Sequence, residues 1–592
     1  MATEHTEIER KFDVEETFAL PDLAGVPGVA SVGDPVVHEL AATYYDTADL
    51  RLARARITLR RRTGGPDDGW HLKLPAAAGA RRELHSPLGR AVKAPPRAVL
   101  LPVLGVVRRA PAGQVATLAT HRTVVPLLAE DGRVLAEVAD DQVTGTALPA
   151  SPGEATVVTT WREVEVELVD GDEELLGAVG AELVVSGARP SASAAKLTRV
   201  LADRLAGPPP SPVADEADDE DEDAAVDAAP VVEEPLPSGK KARAKELARR
   251  EEAAKKAAKQ AKKAAKAAKK EAAEAARLAA IPKAGEVVVA AVAGQLEALQ
   301  RADLMVRTDV PDGVHQVRVA ARRIRSILAA YRPVLDRTRT DAVRDELQWL
   351  GRELSGTRDA EVSLEHLRAL VAAQPPEFVL GPVAARLEQA EMQGETGGTE
   401  HAVATLSLSR YLNLLESLHA LIASPPLAQR AGEPAADVLA DVLRKTVKRL
   451  RRLVETAEDA EFAEDGAAPH GAAESPYELA LHEVRKAGKR VRYTAEVAAP
   501  VLDAGGKRNG AVMGVVDAMK QLQDVLGDRQ DTVVTRELCR TQGLAAFNAG
   551  EDAWTYGRLH ALEEMRAVQA ERDFWALWAT LAPVLNGVVR TK

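Results

Sequence analysis

Apolar and polar residues alternate with a period of two in several short runs within the first 205 residues. This alternation is typical of β-strands whose two faces meet different surroundings. Turn signals such as Asp131-Gly132 separate the runs, which favours an antiparallel meander or barrel. The runs that we predict to be strands are Thr6–Phe12, Ile57–Arg62, Trp70–Leu74, Val134–Val138 and Trp161–Leu168.

From residue 285 onward, apolar residues recur with the periodicity of helices, which predicts an all-α domain. Prolines end or interrupt helices because they lack a backbone N–H and clash with the preceding turn. The helix boundaries that we predict in this way fall at Pro311, Pro333, Pro375-Pro376, Pro425-Pro426 and Pro476.

The segment between these two halves differs from both in composition. Gly207 to Gly239 is rich in Pro, Ala, Asp and Glu and includes the acidic run Asp215–Asp223, so we predict a disordered linker. Lys240–Ala280 consists mainly of Ala and Lys, which form helices well, but it has no apolar stripe that could dock. This tract is either a semi-rigid spacer or an electrostatic arm for a polyanion or for the acidic run.

A chain of 592 residues exceeds what one hydrophobic core supports. We therefore predict a multidomain protein: an antiparallel β tunnel barrel (α+β) at 1–205, an acidic linker at 206–239, a Lys/Ala-rich helical tract at 240–281 and an all-α domain at 282–592. The single cysteine, Cys539, excludes a disulfide framework, fits a reducing compartment and is expected to be inert core. With no apolar leader or bilayer-length segment, the sequence predicts a cytoplasmic protein without membrane association.

Charged residues are concentrated on one face of the predicted strands. Successive strand residues point to opposite faces, so each of two motifs would place its charges on a single face. Burying such a row of carboxylates without a cation would be very costly. The two motifs are Glu7-x-Glu9-x-Lys11 and Glu163-x-Glu165-x-Glu167.

Further charges fall between these motifs in runs that resemble strands. If the strands close into a barrel, carboxylates and basic groups would line one lumen. Such a lumen suits a metal–polyphosphate complex, because Mg²⁺ and Mn²⁺ take oxygen ligands while Arg and Lys neutralise phosphate. The alternative is a solvated outer face, on which the alternation reflects strand pairing alone. The residues are Arg60, Arg62, Lys73, Arg81, Glu83, Arg122, Glu137 and Asp141.

Taken in order, the motifs of this half resemble the CYTH family of triphosphate tunnel metalloenzymes. The resemblance covers roughly the first 200 residues and is specific as a set. The motifs that carry it are Glu7-x-Glu9-x-Lys11, Tyr44-Tyr45-Asp46-Thr47, Leu59-Arg60-Arg61-Arg62, Leu72-Lys73-Leu74-Pro75 and Glu163-x-Glu165-x-Glu167.

The resemblance implies a tunnel in which carboxylates hold Mg²⁺ or Mn²⁺ while basic residues bind a triphosphate that activated water attacks. Lys11 and Glu9 are the implied catalytic residues. The family pattern usually ends in a Ser-Lys pair, whereas this chain has Ser193-Ala194-Ala195-Lys196, a departure that bears on affinity or substrate and not on the fold. The implied metal ligands are Glu7, Glu9, Glu163, Glu165, Glu167 and Asp141, and the implied triphosphate ligands are Lys11, Arg60, Arg62, Lys73, Arg81, Arg122 and Lys196.

The helical half contains a repeated basic row. His315, Arg318, Arg322 and Arg325 fall on one side of a helix, and a second row follows 167 residues later at His482, Arg485, Lys489 and Arg492. Related runs follow each row at Leu354–Asp359 and Leu526–Asp531, which predicts two homologous helical halves. A third basic helix spans Arg444–Arg452.

A row of like charges repels itself, so it is either a solvated face or the binding surface of a polyanion. The pattern at about 285–590 resembles the CHAD domain, which implies a pseudo-two-fold helical fold whose basic cavity binds inorganic polyphosphate. Asp359 and Asp531 would orient basic side chains there. The implied polyphosphate ligands are His315, Arg318, Arg322, Arg323, Arg325, Lys445, Lys448, Arg449, His482, Arg485, Lys489, Arg490 and Arg492.

Three functions remain open at this point. The first is Mg²⁺- or Mn²⁺-dependent hydrolysis of inorganic triphosphate, polyphosphate or another organic triphosphate, with polyphosphate bound by the helical domain. The second is a non-catalytic protein that binds polyphosphate granules, and the third is a tunnel cyclase that acts on a nucleoside triphosphate. Nucleic-acid binding is less favoured, because the basic segments lack aromatic stacking residues and a known reading motif.

Overall fold

The computed structural model describes residues 3–75, 80–89, 94–151, 153–193, 195–207, 281–464, 475–503 and 510–590, together with single positions between 248 and 269. The predicted acidic linker lies outside the described residues except at its first two positions, and so does most of the Lys/Ala tract. At the single described positions of that tract the chain is helical and exposed.

The N-terminal half is an antiparallel sheet, as the alternating pattern predicted. Its strands follow one another in the order β1-β7-β6-β5-β4-β8-β9-β10-β2-β11, and β3 pairs with β8. The bounds are β1 Thr3–Glu7, β2 Glu9–Val14, β3 Ser31–Val32, β4 Val36–Asp46, β5 Thr58–Thr63, β6 Gly69–Pro75, β7 Arg81–Ser86, β8 Gly113–Leu128, β9 Val134–Ala147, β10 Val157–Leu168 and β11 Arg189–Pro190.

The first two strands close this sheet into a barrel. Only Ile8 separates β1 from β2, yet β1 pairs with β7 and β2 pairs with β10, near opposite ends of the strand order. The single strand predicted over Thr6–Phe12 is therefore two strands, because the chain changes partners at Ile8. This closure gives the sheet an inside and an outside face.

Short helices surround the barrel, and one of them is set by a buried carboxylate. Asp46, at the end of β4, accepts hydrogen bonds from the backbone N–H groups of Thr47, Leu52 and Ala53 at 2.7–2.9 Å. These bonds fix the turn into the first helix. The helices are α1 Arg51–Arg54, α2 Arg97–Leu100, α3 Leu104–Val107, α4 Glu173–Val185, α5 Lys196–Val200 and α6 Ala202–Ala206, with 3₁₀ turns at Leu23–Gly25 and Leu101–Val103.

The C-terminal half is all helical, which confirms the predicted fold class, and every predicted proline boundary separates or begins helices. None of the described helices combines the length and apolar character needed to cross a bilayer. Cys539 is buried, and burial raises the pKa of its thiol to about 12. The helices are α7 Ala284–Arg307, α8 Gly313–Ala330, α9 Arg337–Glu353, α10 Gly356–Ala372, α11 Val383–Leu406, α12 Ser409–Ala423, α13 Ala435–Glu464, α14 Pro476–Leu502, α15 Ala511–Asn548 and α16 Trp554–Arg590, with a 3₁₀ turn at Pro376–Phe378.

The two predicted halves of the helical domain each carry one basic row but differ in their helix boundaries. α8 and α14 carry the repeated basic rows and pack together, and the Tyr331 hydroxyl that follows α8 donates to the Thr494 carbonyl at 3.1 Å. In the first half the chain breaks at Leu354 and Ser355, between α9 and α10, whereas its counterpart run lies inside the continuous helix α15.

Candidate active site and basic helical surface

The barrel encloses a cavity of about 570 Å³ whose wall is highly charged. The charged faces of the strands therefore point into the barrel and not outward, which agrees with the lumen expected from the alternation. The apolar faces, including Val164 and Val166 of β10, are buried on the other side against α4. The charged residues that line the cavity are Glu7, Glu9, Lys11, Arg60, Arg62, Asp67, Lys73, Arg81, Glu83, Arg122, Glu137, Glu165, Glu167 and Lys196.

Three carboxylates and two cations form a buried network beside this cavity. The Lys196 Nζ atom lies 2.9 Å from Asp141 and 2.6 Å from both Glu163 and Glu165. Arg122 donates two hydrogen bonds to Asp141 at 2.6 and 2.7 Å and a third to Glu165 at 2.5 Å. Burial tends to raise the pKa of Asp141, but the charges of Lys196 and Arg122 outweigh it and hold this pKa below its ordinary value.

The same carboxylates fit a hard divalent cation. Single oxygens of Asp141, Glu163 and Glu165 all lie within 4.8 Å of one another, and all three residues are buried. No other group of acidic, histidine or cysteine residues within the described parts of the chain is this close. Because Mg²⁺ and Mn²⁺ prefer carboxylate oxygens, this group is a candidate metal site in which an ion would share ligands with Lys196.

The other predicted metal ligands lie in the lumen but outside this group. Glu7 accepts hydrogen bonds from Lys73 Nζ at 2.5 and 2.7 Å, and burial together with a hydrogen bond to Glu83 raises the pKa of Glu7 to about 8. Glu9 accepts from Lys11 at 2.8 Å. Burial also raises the pKa of Glu167. Each of these carboxylates therefore meets a different environment.

Lys11 connects Glu9, the other predicted catalytic residue, to the acidic network. Its Nζ atom donates to Glu9 at 2.8 Å and also donates to Glu165. The lysine side chain is only 15% exposed, so it is desolvated and held between two carboxylates. This ammonium connects the first strand motif to the last, because Lys11 and Glu165 are paired directly between β2 and β10.

Arginines from β5 and β8 lie close together in the wall of the cavity. Burial, together with the charges of Arg60 and Arg122, lowers the pKa of Arg62 to about 9. Arg62 pairs with Asp67, while Arg60 lies 3.9 Å from Glu83. Positive charges that repel one another in a low-dielectric cavity are stabilised by a bound anion such as phosphate.

His71 lines the site but was given no role by the sequence. His71 is 1% exposed, and its Nδ1 atom lies 2.7 Å from Glu83 while its Nε2 atom lies 2.9 Å from the Asp67 carbonyl. Burial lowers the pKa of His71 to about 4. The alternation of β6 places His71 on the same face as Lys73, so the sequence already indicated that His71 faces the lumen. The alternation of β7 likewise places its partner Glu83 on the same face as Arg81.

The two basic rows of the helical domain face each other. Burial and the charges of Arg485, Arg322 and Arg318 lower the pKa of Lys489 to about 7, with Asp531 opposing them. Arg318 and Arg322 come from α8, whereas Arg485 and Lys489 come from α14. These four half-buried cations form one cluster and not a fully solvated face.

Helix α9 extends this cluster with arginines that the sequence reasoning missed. Burial and the neighbouring Arg344, Arg322 and Arg352 lower the pKa of Arg325. Burial, Arg449 and Arg344 lower the pKa of Arg490 in the same way. Arg344 and Arg352 belong to no repeated motif, so only the packing of α9 against α8 could have revealed them.

Some predicted polyphosphate ligands are engaged elsewhere. Arg492 donates to Glu496 at 2.8 Å and Arg323 lies 3.7 Å from the same carboxylate. Both guanidinium groups also lie over the ring of Tyr493, at 5.8 and 5.5 Å from its centroid. These contacts join α8 to α14, so the pair has an evident structural role.

The remaining predicted ligands are near the surface. His315, Lys445 and Lys448 are exposed, and His482 contacts Gln530 through its Nδ1 atom at 3.2 Å. The side chain of Asp359 lies outside the described residues. The structure thus brings the centre of each basic row together, and of the four row ends only His315 is exposed.

Comparisons with known protein families agree with this division. A family model described as the CYTH domain matches residues 5–196, and one described as the CHAD domain matches residues 290–540. An uncharacterized protein of Mycobacterium tuberculosis is 34% identical over 568 residues, which span 94% of this chain and 93% of the relative.

Several solved structures also match, and the two described next each cover part of the chain. PptA from Streptomyces chartreusis is 19% identical with a TM-score of 0.40, covering 50% of this chain and 100% of its own. The CHAD domain from the plant Ricinus communis is 22% identical with a TM-score of 0.35, covering 53% of this chain and 94% of its own.

Proposed function

Because the chain belongs to the family of proteins in which a CYTH domain precedes a CHAD domain, we propose that its barrel is a metal-dependent hydrolase of inorganic triphosphate or polyphosphate and that its helical domain binds inorganic polyphosphate. One observation carries the proposal: carboxylates and cations line one cavity of about 570 Å³ inside the barrel. A cavity of this kind provides both halves of a phosphoryl-transfer site, the positioning of the substrate and the neutralisation of its charge.

The cationic wall would bind the triphosphate. Burial and the charges of Arg60 and Arg122 destabilise the charged form of Arg62, so phosphate oxygens placed beside Arg62 would lower the free energy of the wall as well as of the ligand. Lys73 reaches the cavity from β6, where Glu7 now accepts its hydrogen bonds, and Arg81 lines the cavity from β7. A bound phosphate would replace Glu7 as the acceptor of the Lys73 hydrogen bonds.

The acidic group would hold Mg²⁺ or Mn²⁺ through Asp141, Glu163 and Glu165. Such a metal would supply charge neutralisation at the phosphates and would make water at this site more acidic. Lys196 contacts all three carboxylates, and its positive charge offsets their mutual repulsion. Without that ammonium, three buried like charges would repel one another.

Lys11 and Glu9 would act at the reacting end of the substrate. Lys11 orients Glu9 and Glu165 by donating to both, and its ammonium can also donate to a phosphate oxygen. Glu9 accepts from Lys11, so its carboxylate is positioned to accept a proton from attacking water. Both groups come from β2 and are fixed by its pairing with β10.

The central cations of α8 and α14 would bind the polymer. Four half-buried cations from two helices, continued by arginines of α9, offer a row of donors to a linear polyanion. An anion there removes the mutual repulsion that lowers the pKa of Lys489. This relief of repulsion supports binding of a dense polyanion over a single phosphate.

Phosphate release from tripolyphosphate with added Mg²⁺ tests the barrel. We expect turnover by the full chain and a fall of at least about a hundredfold in Glu165→Gln, because metal-assisted charge stabilisation contributes several kcal/mol. Glu130→Gln, a change at an exposed turn glutamate, should retain activity. Full activity of Glu165→Gln would contradict the metal assignment.

A substrate panel separates the proposal from its alternatives. Phosphate release would be compared for tripolyphosphate, long polyphosphate, thiamine triphosphate and ATP. Absence of turnover together with polyphosphate binding that survives chelation would favour the non-catalytic function. Formation of a cyclic nucleotide from ATP would favour the cyclase.

A further inference from the structure

Strand β7 is a wall shared by the cavity and the helical domain. Arg81, Glu83 and His85 line the cavity, whereas the intervening Arg82 lies on the opposite face. The Arg82 Nη2 atom donates to the backbone carbonyl of Thr308 at 2.8 Å. Thr308 caps the C-terminus of α7, so the barrel binds directly to the end of this helix.

The last turn of α7 is also fixed by a buried ion pair. Arg307 donates to Asp303 at 2.9 and 3.0 Å, and both side chains are almost fully buried. Arg307 also donates to the carbonyl of Leu101 in the barrel domain at 3.4 Å and to Ser407 Oγ at 3.2 Å. A Cβ atom added at Gly105 of α3 would lie 1.9 Å from an Asp303 oxygen, so the two domains are in close contact here.

A second charged contact joins α12 to the barrel domain. Glu416 accepts from Arg108 Nε at 3.0 Å and from Arg51 Nη1 at 3.2 Å. Arg109 donates to Asn413 at 2.8 Å. Burial raises the pKa of Glu416, but Arg108 and Arg51 outweigh it and lower the pKa below its ordinary value.

The basic helix α8 begins on this anchored turn. Val310 N–H donates to the Met305 carbonyl at 2.8 Å, and a Cβ added at Gly313 would lie 2.8 Å from Val306 N. At a rise of 1.5 Å per residue, Arg318 lies about 8 Å and Arg322 about 14 Å along the helix from Gly313. The basic row therefore starts close to the barrel contact.

The turn between α7 and α8 is strained. Asp309 and Asp312 both have positive φ angles, 52° and 67°, in the left-handed region that disfavours residues other than glycine. A strained turn of this kind persists when its surroundings fix it. The bond from Arg82 to Thr308 is one of the contacts that fix it.

We propose that binding in the barrel and binding on the helical domain are positively coupled through β7 and the α7–α8 turn, a proposal that rests on the proposed function. A polyanion held by Arg81 in the cavity stabilises β7 in the position from which Arg82 contacts Thr308, and this contact holds the turn from which the basic row of α8 extends. The helical domain loses less conformational freedom when polyphosphate binds, because part of the ordering has already occurred. Thermodynamic linkage requires that polyphosphate on the helical domain tighten binding in the barrel by the same factor.

Equilibrium titration of the full chain tests the coupling. The Kd of long-chain polyphosphate is measured with and without saturating tripolyphosphate, in the presence of a chelator so that metal-dependent turnover is prevented. We expect tripolyphosphate to tighten polyphosphate binding by at least about fivefold. Direct competition on the helices would weaken binding instead, and Arg60→Ala in the cavity should abolish the tightening.

Variants of the contact complete the test. Arg82→Ala should retain both separate affinities but lose the tightening, and Arg108→Ala should reduce it, whereas Arg133→Ala at an exposed barrel turn should leave it unchanged. Unchanged or weakened binding in the wild type, or tightening that persists in Arg82→Ala, overturns the coupling alone. Failure of either polyanion to bind overturns the proposed function and the coupling with it.

Discussion

The pH dependence of polyphosphate binding should report on Lys489. Burial and the charges of Arg485, Arg322 and Arg318 lower the pKa of this lysine from 10.5 to about 7. Asp531 is the neighbouring carboxylate that opposes this shift. The perturbation that we consider is Lys489→Arg, since guanidinium stays charged throughout the accessible pH range.

The size of the pH effect on affinity follows from the difference in the pKa of Lys489 between the free and the bound protein. Phosphate oxygens beside Lys489 would return its pKa to at least the ordinary value near 10.4. Below pH 7 the free protein already holds the proton, so affinity is highest there. Above pH 7 the bound state must take up a proton, and affinity should fall by up to tenfold per pH unit, or about a hundredfold between pH 6 and pH 9.

The unliganded protein should show the opposite trend in stability. Lys489 has a lower pKa when folded than when unfolded, so the unfolded chain binds more protons between pH 7 and 10.5. The contribution of Lys489 to the free energy of unfolding should therefore rise with pH across this window. The same charge that weakens the free protein at neutral pH strengthens its complex.

Calorimetric titration with long-chain polyphosphate at low, constant ionic strength measures the effect. The slope of affinity against pH should be present in the wild type and largely absent in Lys489→Arg. Lys486→Arg, at an exposed residue of the same helix that pairs with Glu483, should keep the wild-type slope. Equal slopes in the wild type and Lys489→Arg would refute the reasoning.

Three further predictions concern stability and metal binding. Asp46→Ala should lower the free energy of unfolding by about 2–4 kcal/mol in denaturant titration, since three backbone N–H groups lose a charged acceptor. Asp131→Ala, at an exposed turn, is the control, and an equally small effect of Asp46→Ala would contradict this prediction. Gly105→Ala should lower the free energy of unfolding by about 1–3 kcal/mol in thermal denaturation, since its Cβ would lie 1.9 Å from a carboxylate oxygen of α7. Gly113→Ala, whose Cβ would meet open space, should leave the stability unchanged. In Lys196→Met, added Mg²⁺ should raise the Tm by more than it does in the wild type, because the metal no longer competes with an ammonium for the three carboxylates. Equal Mg²⁺-dependent Tm shifts in the variant and the wild type would rule out the assigned metal site.

The candidate site shows how far residue patterns reach. Alternation along a strand predicted that Glu163, Glu165 and Glu167 share a face, and two of these three carboxylates lie in the buried group with Asp141. Alternation could not separate Glu167 from the other two, because distance from a particular cation depends on the register between strands. It also gave no role to His71, whose partner Glu83 comes from the neighbouring strand.

The helical domain shows the same limit. Spacing along one helix predicted two matched basic rows, yet Arg492 lies on the row and pairs with Glu496, while Lys489 lies in the cationic cluster. Arg344 joins that cluster from α9 without belonging to any repeated motif. Sequence spacing fixes which residues share a face of one element, but packing between elements decides which faces meet.

By itself the sequence determined the two fold classes, the proline-bounded helices and the charged faces, because periodicity and proline chemistry act over a few neighbouring residues. The tertiary structure decided the closure of the barrel at Ile8, the gathering of Asp141 with Glu163 and Glu165, and the contact of Arg82 with Thr308. These features join residues that are tens to hundreds of positions apart. Their energies depend on burial and on distances between elements, which no local pattern in the chain records.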